Sequence, residues 1–557
     1  MRLMFGASNV IVTNMKLSRL VALSAVLLTS SACSSKKSAT PNPDRGPNGS
    51  AAAGGSNAAT TTATKGSASN QAAGSATLAP VVKPAVPAGP LQALTVDTAP
   101  VTGKPRWARA FGGAGTELPR NMAITDDNAA IVVGYFEGAS DLGARGGSNV
   151  KPDVRTSTGD SDVFVTKFTN DGSQAWALTF GGKTGDAATG VAVRGKQVLV
   201  VGNFSDKITV ALPGVDVTKS PSAQAFGSDD MFALLLNDSG EPQWLFAAGG
   251  ADSDGANSVA ATPDGGWIIG GSFADKVTFG TTELVAAGRT DAFLLKLTSE
   301  GTVQWAKQFG GLYQDSISHV VVDVQGNLII QGVFADEVTW GGQKMHAGGG
   351  SDSDVLLAKY DSNGNHLWSK NFGNQFNEVA GGVAVDPAGN IVMTGSYDRS
   401  ITFGDAEYGC AGESDVFVAR FAADGSVLWS KTFGGAREDI GFGIAVDASG
   451  ASTVSGWFFG KMTISDKTNG DKSITGKGNK EFFLLKLDAS GTLKWLTSAG
   501  DRDHDQGRVV ALTKAGSAVV AGVFRFALPL TQPALQSTRV EGDKAPKPDV
   551  FVAAFDR

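Results

Sequence analysis

Residues 415–458, DVFVARFAADGSVLWSKTFGGAREDIGFGIAVDASGASTVSGWF, contain four short extended runs that decide the fold. The runs are residues 415–421, 426–433, 443–446 and 453–458, and turn residues such as Asp424-Gly425 and Gly434-Gly435 separate them. Short β-branched and aromatic runs punctuated in this way are strand and hairpin signals. Because no segment shows sustained helical periodicity, the sequence predicts an all-β protein.

This unit recurs seven times, and a tryptophan marks each copy: Trp107, Trp176, Trp244, Trp305, Trp368, Trp429 and Trp495. A glycine precedes each tryptophan by four residues: Gly103, Gly172, Gly240, Gly301, Gly364, Gly425 and Gly491. Another glycine follows it by five, and an acid follows by ten: Glu117, Asp186, Asp254, Asp315, Glu378, Asp439 and Asp505. The offsets are fixed while the tryptophans are 61–69 residues apart, which indicates a repeated structural unit.

Two further anchors complete the unit. One is Gly-x-Phe or Gly-x-Tyr, as in Gly456 and Phe458. The other is an acid that opens the strand before each tryptophan: Asp162, Asp230, Asp291, Asp354, Asp415, Glu481 and Asp549. Four antiparallel strands per unit, repeated seven times, predict a seven-bladed β-propeller.

The two ends of the array are out of phase. The array begins at residues 104–111 with a tryptophan strand that lacks its preceding acid strand, and it ends at residues 549–555 with an acid strand that lacks its tryptophan strand. We therefore expect the N-terminal strand to complete the last blade and close the ring, which leaves no exposed edges of the kind an open array would have. The predicted propeller covers residues 103–557.

The units resemble the bacterial β-propeller repeats of secreted and surface proteins, with the pattern Asp-x-Phe, Gly-x-x-x-Trp, Phe-Gly-Gly, Val-Ala-Val-Asp and Gly-x-Phe. That resemblance implies the propeller fold and an extracytoplasmic setting, and the family has no single activity. The tryptophans are also similar to those that dock between blades in pyrroloquinoline quinone dehydrogenases and in the lipoprotein propeller of outer-membrane assembly. Those repeats are usually shorter than the ones in this chain.

The N-terminus predicts a targeting segment. A basic stretch at residues 16–19 precedes an apolar run at 20–28, small residues at 30–32 and then Cys33. This order resembles a bacterial lipoprotein signal, which implies cleavage before Cys33 and a palmitate-bearing Cys33 as the new N-terminus. Residues 1–32 are the predicted signal peptide, and translation starting at either Met1 or Met15 is compatible with it.

The composition of residues 33–102 predicts a flexible tether, because Ala, Ser, Thr, Gly and Pro bury too little apolar surface to fold. We expect it to hold the propeller away from a membrane, most simply the bacterial outer membrane. The net charge of −7 argues against nucleic acid as a partner, because phosphate binding needs a basic surface. The partners predicted are the membrane, through the lipid, and a protein or a polysaccharide.

The seven acids that follow the tryptophans are the candidate binding residues. We expect them to ring one mouth of the central channel, where they would hold a cation or a basic ligand. The alternative is that each carboxylate accepts hydrogen bonds from its own glycine-rich turn. Because every blade has this acid, the structural role is favoured, and the tryptophans are likewise expected to wedge between blades.

Other chemistry is sparse. Asp501, Asp503 and Asp505 alternate as in part of a calcium loop, but position twelve is Leu512, so the full loop pattern fails. Ca²⁺ is the candidate ion for this segment, and no other cofactor or metal is predicted. The four histidines, His319, His346, His366 and His504, have no metal-ligand spacing, and neither a nucleophile elbow nor a phosphate-binding loop is present. No catalytic residue is predicted.

The connections before the acid strands differ in length. The separation between the aromatic residue of each Gly-x-Phe/Tyr anchor and the next acid that opens a strand is, in chain order, 26, 26, 18, 20, 18, 23 and 25 residues. The four longer ones, which include residues 138–159, 205–227, 461–478 and 525–547, become neighbours once the ring closes. Variable loops on a rigid frame often carry function, so this half of the rim is predicted to bind a partner.

The sequence thus predicts a membrane-anchored, extracytoplasmic β-propeller lipoprotein that acts as a binding platform. Two alternatives stay open. One is an enzyme with a site at the propeller mouth, such as a quinoprotein or a polysaccharide lyase, and the other is an outer-membrane assembly factor.

Overall fold

A computed structural model describes residues 102–146, 151–211, 218, 220–348, 352–374, 376–466, 468–538 and 546–557. The predicted signal peptide, Cys33 and nearly all of the predicted tether lie outside these residues. None of the described residues lies in an α-helix. In the same residues there is, accordingly, no helix with the length and apolar character needed to cross a bilayer.

The strands are short and follow one another at regular intervals. In chain order they are β1 (Pro105–Gly113), β2 (Glu117–Ile124), β3 (Ala130–Phe136), β4 (Ala139–Arg145), β5 (Val154–Thr156), β6 (Asp162–Phe168), β7 (Gln174–Phe180), β8 (Ala187–Arg194), β9 (Gln197–Phe204), β10 (Lys207–Thr209), β11 (Ser222–Gln224), β12 (Asp230–Asn237), β13 (Pro242–Ala248), β14 (Asp254–Ala261), β15 (Trp267–Phe273), β16 (Lys276–Phe279), β17 (Thr282–Val285), β18 (Asp291–Leu297), β19 (Val303–Phe309), β20 (Ser316–Val322), β21 (Leu328–Ala335), β22 (Glu337–Thr339), β23 (Lys344–His346), β24 (Ser353–Tyr360), β25 (His366–Phe372), β26 (Glu378–Val385), β27 (Ile391–Tyr397), β28 (Ser400–Phe403), β29 (Ala406–Gly409), β30 (Asp415–Phe421), β31 (Val427–Phe433), β32 (Asp439–Val446), β33 (Ser452–Ile464), β34 (Lys472–Leu487), β35 (Leu493–Ala499), β36 (Gln506–Leu512), β37 (Ala518–Phe524), β38 (Ala527–Leu528), β39 (Leu535–Gln536) and β40 (Asp549–Phe555).

Seven antiparallel sheets are the blades of a propeller, as the sequence predicts. Blades 1 to 7 have the strand orders β2-β3-β6-β7, β8-β9-β12-β13, β14-β15-β18-β19, β20-β21-β24-β25, β26-β27-β30-β31, β32-β33-β34-β35 and β36-β37-β40-β1. The first strands of neighbouring blades contact one another all round the ring, so they line its centre. Within the blades the third strands are buried along almost their whole length, as in β30, because a neighbouring blade covers each face of the sheet.

The N-terminal strand closes the ring. β1 pairs antiparallel with β40, with Ala108 opposite Ala553 and Phe111 opposite Val550, and it thereby supplies the fourth strand of blade 7. The predicted ring closure is confirmed. Strand pairing across the two ends of the array removes the free edge that each end would otherwise expose.

The tryptophan and the glycine four residues before it form one contact between blades. Each indole packs on the glycine that belongs to the next blade in the ring, as Trp107 does on Gly172. A Cβ on these seven glycines would lie only 2.5–3.1 Å from the nearest side-chain atom, and their φ angles are +59° to +82°. Five indoles also donate a hydrogen bond to a carbonyl in that turn, as in Trp107 Nε1 to Asn170 O at 2.9 Å. The repeated frame is therefore the joint between blades.

The two faces of the ring differ. In every sheet the strand register brings together, on one edge, the start of the first strand, the end of the second, the start of the third and the end of the fourth. In blade 1 these ends are, in that order, Glu117, Phe136, Asp162 and Phe180. We call this side the hairpin face, because the connections between second and third strands form hairpins there. The opposite side, the turn face, carries the tight turns that join first to second and third to fourth strands.

A β-bulge interrupts the first strand of every blade at the same position, thirteen residues after the tryptophan. In blades 1 to 7 the bulged residues are Arg120, Thr189, Asn257, Ser318, Gly381, Phe442 and Arg508. A bulge redirects a side chain and strengthens local twist. These residues therefore occupy equivalent places around the centre of the ring and differ widely in chemistry.

Candidate functional site

The hairpins between second and third strands are the main source of asymmetry. In blades 2, 3, 4, 5 and 7 the hairpin is a separate two-stranded ribbon. In blade 6 it is a direct extension of β33 and β34, which reach 13 and 16 residues. In blade 1, β4 instead pairs with β1 of blade 7, which widens that sheet to six strands. Because the ring is closed, the four longer connections do lie in consecutive blades, 6, 7, 1 and 2.

Exposed apolar side chains are concentrated on the hairpin face. Among the described residues, seven large apolar side chains are strongly exposed, and four of them lie on this face: Val154, Phe226, Val285 and Leu312. Phe226, in the connection between the second and third strands of blade 2, is 65% exposed. Leu312, in the connection from blade 3 to blade 4, is 70% exposed. Only Val324 among the seven lies in a tight turn on the turn face, so the two faces offer different surfaces to a partner.

The seven acids that follow the tryptophans are buried, each being at most 2% exposed. Five of them accept a hydrogen bond from a backbone N–H of the glycine-rich turn, as Asp186 Oδ2 does from Gly182 N at 2.6 Å. The other oxygen of Asp186 accepts from Ser205 N at 3.3 Å, so the start of the inserted connection closes over the carboxylate. These side chains lie at the hairpin face and do not present carboxylates to the solvent.

Each of these acids lies against a second buried acid, the one that opens the third strand of the preceding blade. The pairs are Glu117–Asp549, Asp186–Asp162, Asp254–Asp230, Asp315–Asp291, Glu378–Asp354, Asp439–Asp415 and Asp505–Glu481. The glycine that follows the tryptophan by five residues packs on this second acid, since a Cβ on Gly181 would be 2.6 Å from the Asp162 carboxyl. The anchors of the repeat are therefore assembled into one carboxyl pair at every junction between blades.

Burial raises the pKa of these carboxyls, and the charge of the paired acid raises it further. The pKa rises to about 8 for Glu117, Asp186, Asp254, Asp439 and Asp505, to about 7 for Asp315 and to about 10 for Glu378. The carboxyls whose pKa is about 8 or higher are therefore largely protonated at neutral pH, because two adjacent buried carboxylates cannot both ionise cheaply.

The partial calcium pattern is occupied by protein contacts. Asp503 contacts Arg525 Nη1 at 3.3 Å and also pairs with His504, while Asp505 Oδ2 accepts from Asp501 N at 3.1 Å. Nowhere in the described ranges do three or more His, Cys, Asp or Glu side chains converge as metal ligands would. The cation hypothesis for the acids has no direct support from this geometry.

Three of the four histidines lie on different strands of blade 4, and His504 lies in the connection between blades 6 and 7. His319 is on the first strand of blade 4, where burial lowers its pKa to about 4. His346 pairs with Glu337 at 3.0 Å in a hairpin, and His366 Nε2 is 3.1 Å from Ser369 Oγ. His366 lines a groove of about 640 Å³ between the outer strand of blade 4 and the hairpin of blade 5, together with Trp368, Lys370, Asn371 and Thr402.

The bulged residues are the group that the sequence reasoning missed. They lie on the strands that line the centre of the ring, at a position whose residue type differs between blades. The signal was available, because a constant offset of thirteen residues from the tryptophan identifies them. Only the structure shows that this offset marks a bulge in a strand lining the centre.

Comparison with known proteins supports the architecture. No protein-family model matches the chain. An uncharacterised WD-repeat-containing protein, L264 of Acanthamoeba polyphaga mimivirus, is 22% identical over 512 residues, which cover 76% of this chain and 36% of the viral protein. The chain is a β-propeller repeat protein. It is also 23% identical over 449 residues to the regulatory protein FlaEY of Caulobacter vibrioides, with 74% of this chain and 45% of that protein covered.

The chain spans less than half the length of these two relatives. Among solved structures, an apocarotenoid oxygenase of Synechocystis aligns with a TM-score of 0.35 and 12% identity, over 80% of this chain and 96% of that one. A gluconolactonase of Xanthomonas campestris aligns with a TM-score of 0.29 and 10% identity, over 65% of this chain and 90% of that one.

Proposed function

We propose that the protein is an extracytoplasmic lipoprotein, anchored by a lipid on Cys33 in the outer membrane, whose propeller binds a protein or polysaccharide partner through its hairpin face. The observation that carries the binding proposal is the contrast between the two faces. Among the described residues, the hairpin face has the connections of unequal length and four of the seven strongly exposed large apolar side chains, whereas the turn face has repetitive tight turns.

The rigid ring is suited to this role. Indole–glycine contacts join each blade to the next, so the strands from which the connections extend are held in a constant arrangement. A preorganised surface loses less conformational entropy when a partner binds. The blades with longer connections, 6, 7, 1 and 2, form one contiguous half of the ring and supply most of the extra surface.

The proposal for anchoring rests on the sequence around Cys33, with its basic, apolar and small-residue order. If the lipid holds the protein, a Cys33→Ser variant should move from the membrane fraction to the soluble fraction of the cell envelope. Retention of that variant in the membrane fraction would reject a lipid anchor at this residue and would leave the binding proposal untouched.

Grafting of hairpins tests the binding proposal without opening the ring. Residues 205–229 of blade 2 can be replaced by residues 274–290 of blade 3, because both connections join an aromatic residue, Phe204 or Phe273, to an acid that opens a third strand. The wild type and the graft are each used to capture partners from the native envelope, and captured proteins and polysaccharides are quantified. The matched control grafts the same blade 3 connection into blade 5, whose own connection is equally long.

The blade 2 graft should reduce capture at least fivefold while the blade 5 graft retains it. Equal capture by both grafts would reject the longer half of the ring as the binding surface. The identity of the captured material also separates the alternatives: a β-barrel insertion complex would favour an assembly factor over a general binding platform.

A further inference from the structure

Two arginines lie side by side at the centre of the ring. Arg120 occupies the first-strand bulge of blade 1, between Pro119 and Asn121, and Arg508 occupies the equivalent bulge of blade 7. The strands that carry them, β2 and β36, contact each other directly. Both side chains are partly exposed, so a small molecule entering the centre can reach them.

Neither guanidinium has an acidic partner. In the part of the chain that the structure describes, no carboxylate contributes to the pKa of either arginine, and the seven bulged residues include no Asp or Glu. Arg508 Nη1 donates to Gln506 Oε1 at 3.0 Å, whereas Arg120 Nε is buried without a hydrogen-bond partner. By contrast, the buried Arg420 of blade 5 pairs with Asp386.

An aromatic ring lies close to each of the two guanidinium groups. The Arg120 guanidinium lies 5.4 Å from the centre of the Tyr135 ring, and that of Arg508 lies 5.0 Å from the centre of the Phe442 ring. A cation–π contact of this kind attracts a guanidinium group to the ring without using its hydrogen-bond donors. Tyr135 also brings a hydroxyl group close to Arg120.

The electrostatic cost of this arrangement is substantial. Burial lowers the pKa of Arg120, and it lowers that of Arg508 to about 9 with a further contribution from the charge of Arg120. Arginine stays protonated in proteins, so both charges persist at neutral pH. Two partly desolvated like charges without a counter-charge are stabilised strongly when an anion binds between them.

We propose that the centre of the propeller, at the junction of blades 7 and 1, binds an oxyanion, the carboxylate or phosphate group of a small ligand, through Arg120 and Arg508. Planar guanidinium groups donate paired hydrogen bonds that match both of these groups. The site goes beyond the proposed function, because it lies on the inner strands rather than on the hairpins.

Calorimetry with the full chain tests the site. The probes are inorganic phosphate and glucuronate, titrated separately at constant ionic strength with sodium chloride. The wild type should bind at least one of them saturably, and Arg120→Gln and Arg508→Gln should each weaken that binding at least tenfold. The control is Arg437→Gln, which removes an exposed arginine that also stacks on an aromatic ring, Phe459 at 5.2 Å, and this variant should bind as the wild type does.

A second pair of variants guards against misfolding. Arg120→Lys and Arg508→Lys keep the charge and lose the paired donors, so they should fold normally and still bind at least tenfold more weakly. In anion-free buffer, Arg508→Gln should be at least as thermally stable as the wild type, because it removes like-charge repulsion. Absence of binding of both probes by the wild type, or equal binding by wild type and arginine variants, would overturn the proposal.

Discussion

The joint between blades can be tested at one glycine. Gly172 has a φ of +79°, and a Cβ at this position would lie 2.5 Å from Cδ2 of Trp107, across the junction where blade 7 meets blade 1. The change is Gly172→Ala. Its matched control is Gly460→Ala, since Gly460 has a φ of +78° and nothing within 4 Å of the added Cβ.

The two substitutions share one cost and differ in another. Each places an alanine in the left-handed region, which costs about 1–2 kcal/mol. Only Gly172→Ala also forces a methyl group into the indole, and overpacking of this kind costs about 1–3 kcal/mol more. We therefore expect Gly172→Ala to reduce the free energy of unfolding by about 2–5 kcal/mol and Gly460→Ala by about 1–2 kcal/mol.

Urea denaturation followed by circular dichroism measures both losses, and thermal unfolding should rank the variants in the same order. Adding Trp107→Leu provides an internal check, because a smaller side chain leaves room for the methyl group. In that background the extra cost of Gly172→Ala should disappear, as a double-mutant cycle would reveal. Equal losses of stability for Gly172→Ala and Gly460→Ala would refute the indole–glycine contact as the joint between blades. An extra cost of Gly172→Ala that persists without the indole would refute it as well.

Three further predictions concern charge and anchoring. Because the pKa of Asp254 is raised to about 8, the folded state binds more protons than the unfolded state between about pH 4 and pH 8, and the free energy of unfolding falls as pH rises through this window by up to about 1.4 kcal/mol per pH unit for this group. In denaturation measured at a series of pH values, Asp254→Asn should therefore gain stability relative to the wild type as pH rises. Parallel pH curves for the two proteins would contradict this. Lys359→Met leaves Asp323 buried without the partner that lies 3.0 Å away, and it should lower the free energy of unfolding in urea by about 3–5 kcal/mol. The control Lys276→Met removes one member of an exposed ion pair and should lower it by less than about 1 kcal/mol. Comparable losses for the two variants would count against a stabilising role of the buried pair. Mass spectrometry of the mature protein should find a lipid on residue 33, which Cys33→Ser abolishes, and an unmodified Cys33 in the wild type would exclude the proposed anchor.

The sequence alone was sufficient for the architecture, because the anchors that repeat are the ones that join blades. Trp107 and Gly172 recur at fixed offsets since every junction needs the same contact, and the unmatched end strands predict the pairing of β1 with β40. A repeat pattern reveals the residues that every blade needs for the same structural contact. It therefore identifies scaffold more readily than a functional site.

What the sequence did not reveal depends on contacts between blades. Asp162 and Asp186 are separate anchors in the repeat, and their pairing requires the ring geometry that brings a third strand against the next first strand. The sequence shows an acid after each glycine-rich turn, but it does not show that the connection beginning at Ser205 covers Asp186. Arg120 and Arg508 are 388 positions apart, and only ring closure makes them neighbours.

The proposal that the hairpin face binds the partner is tested most directly by site-specific photo-crosslinking in the native envelope. A photoreactive residue is placed at Phe226 on the hairpin face or at Val324 on the turn face, two positions that are 65% and 61% exposed. Similar exposure makes the two positions a fair comparison. We predict a discrete crosslinked partner from position 226 and none from position 324, and crosslinking only from position 324 would contradict the proposal.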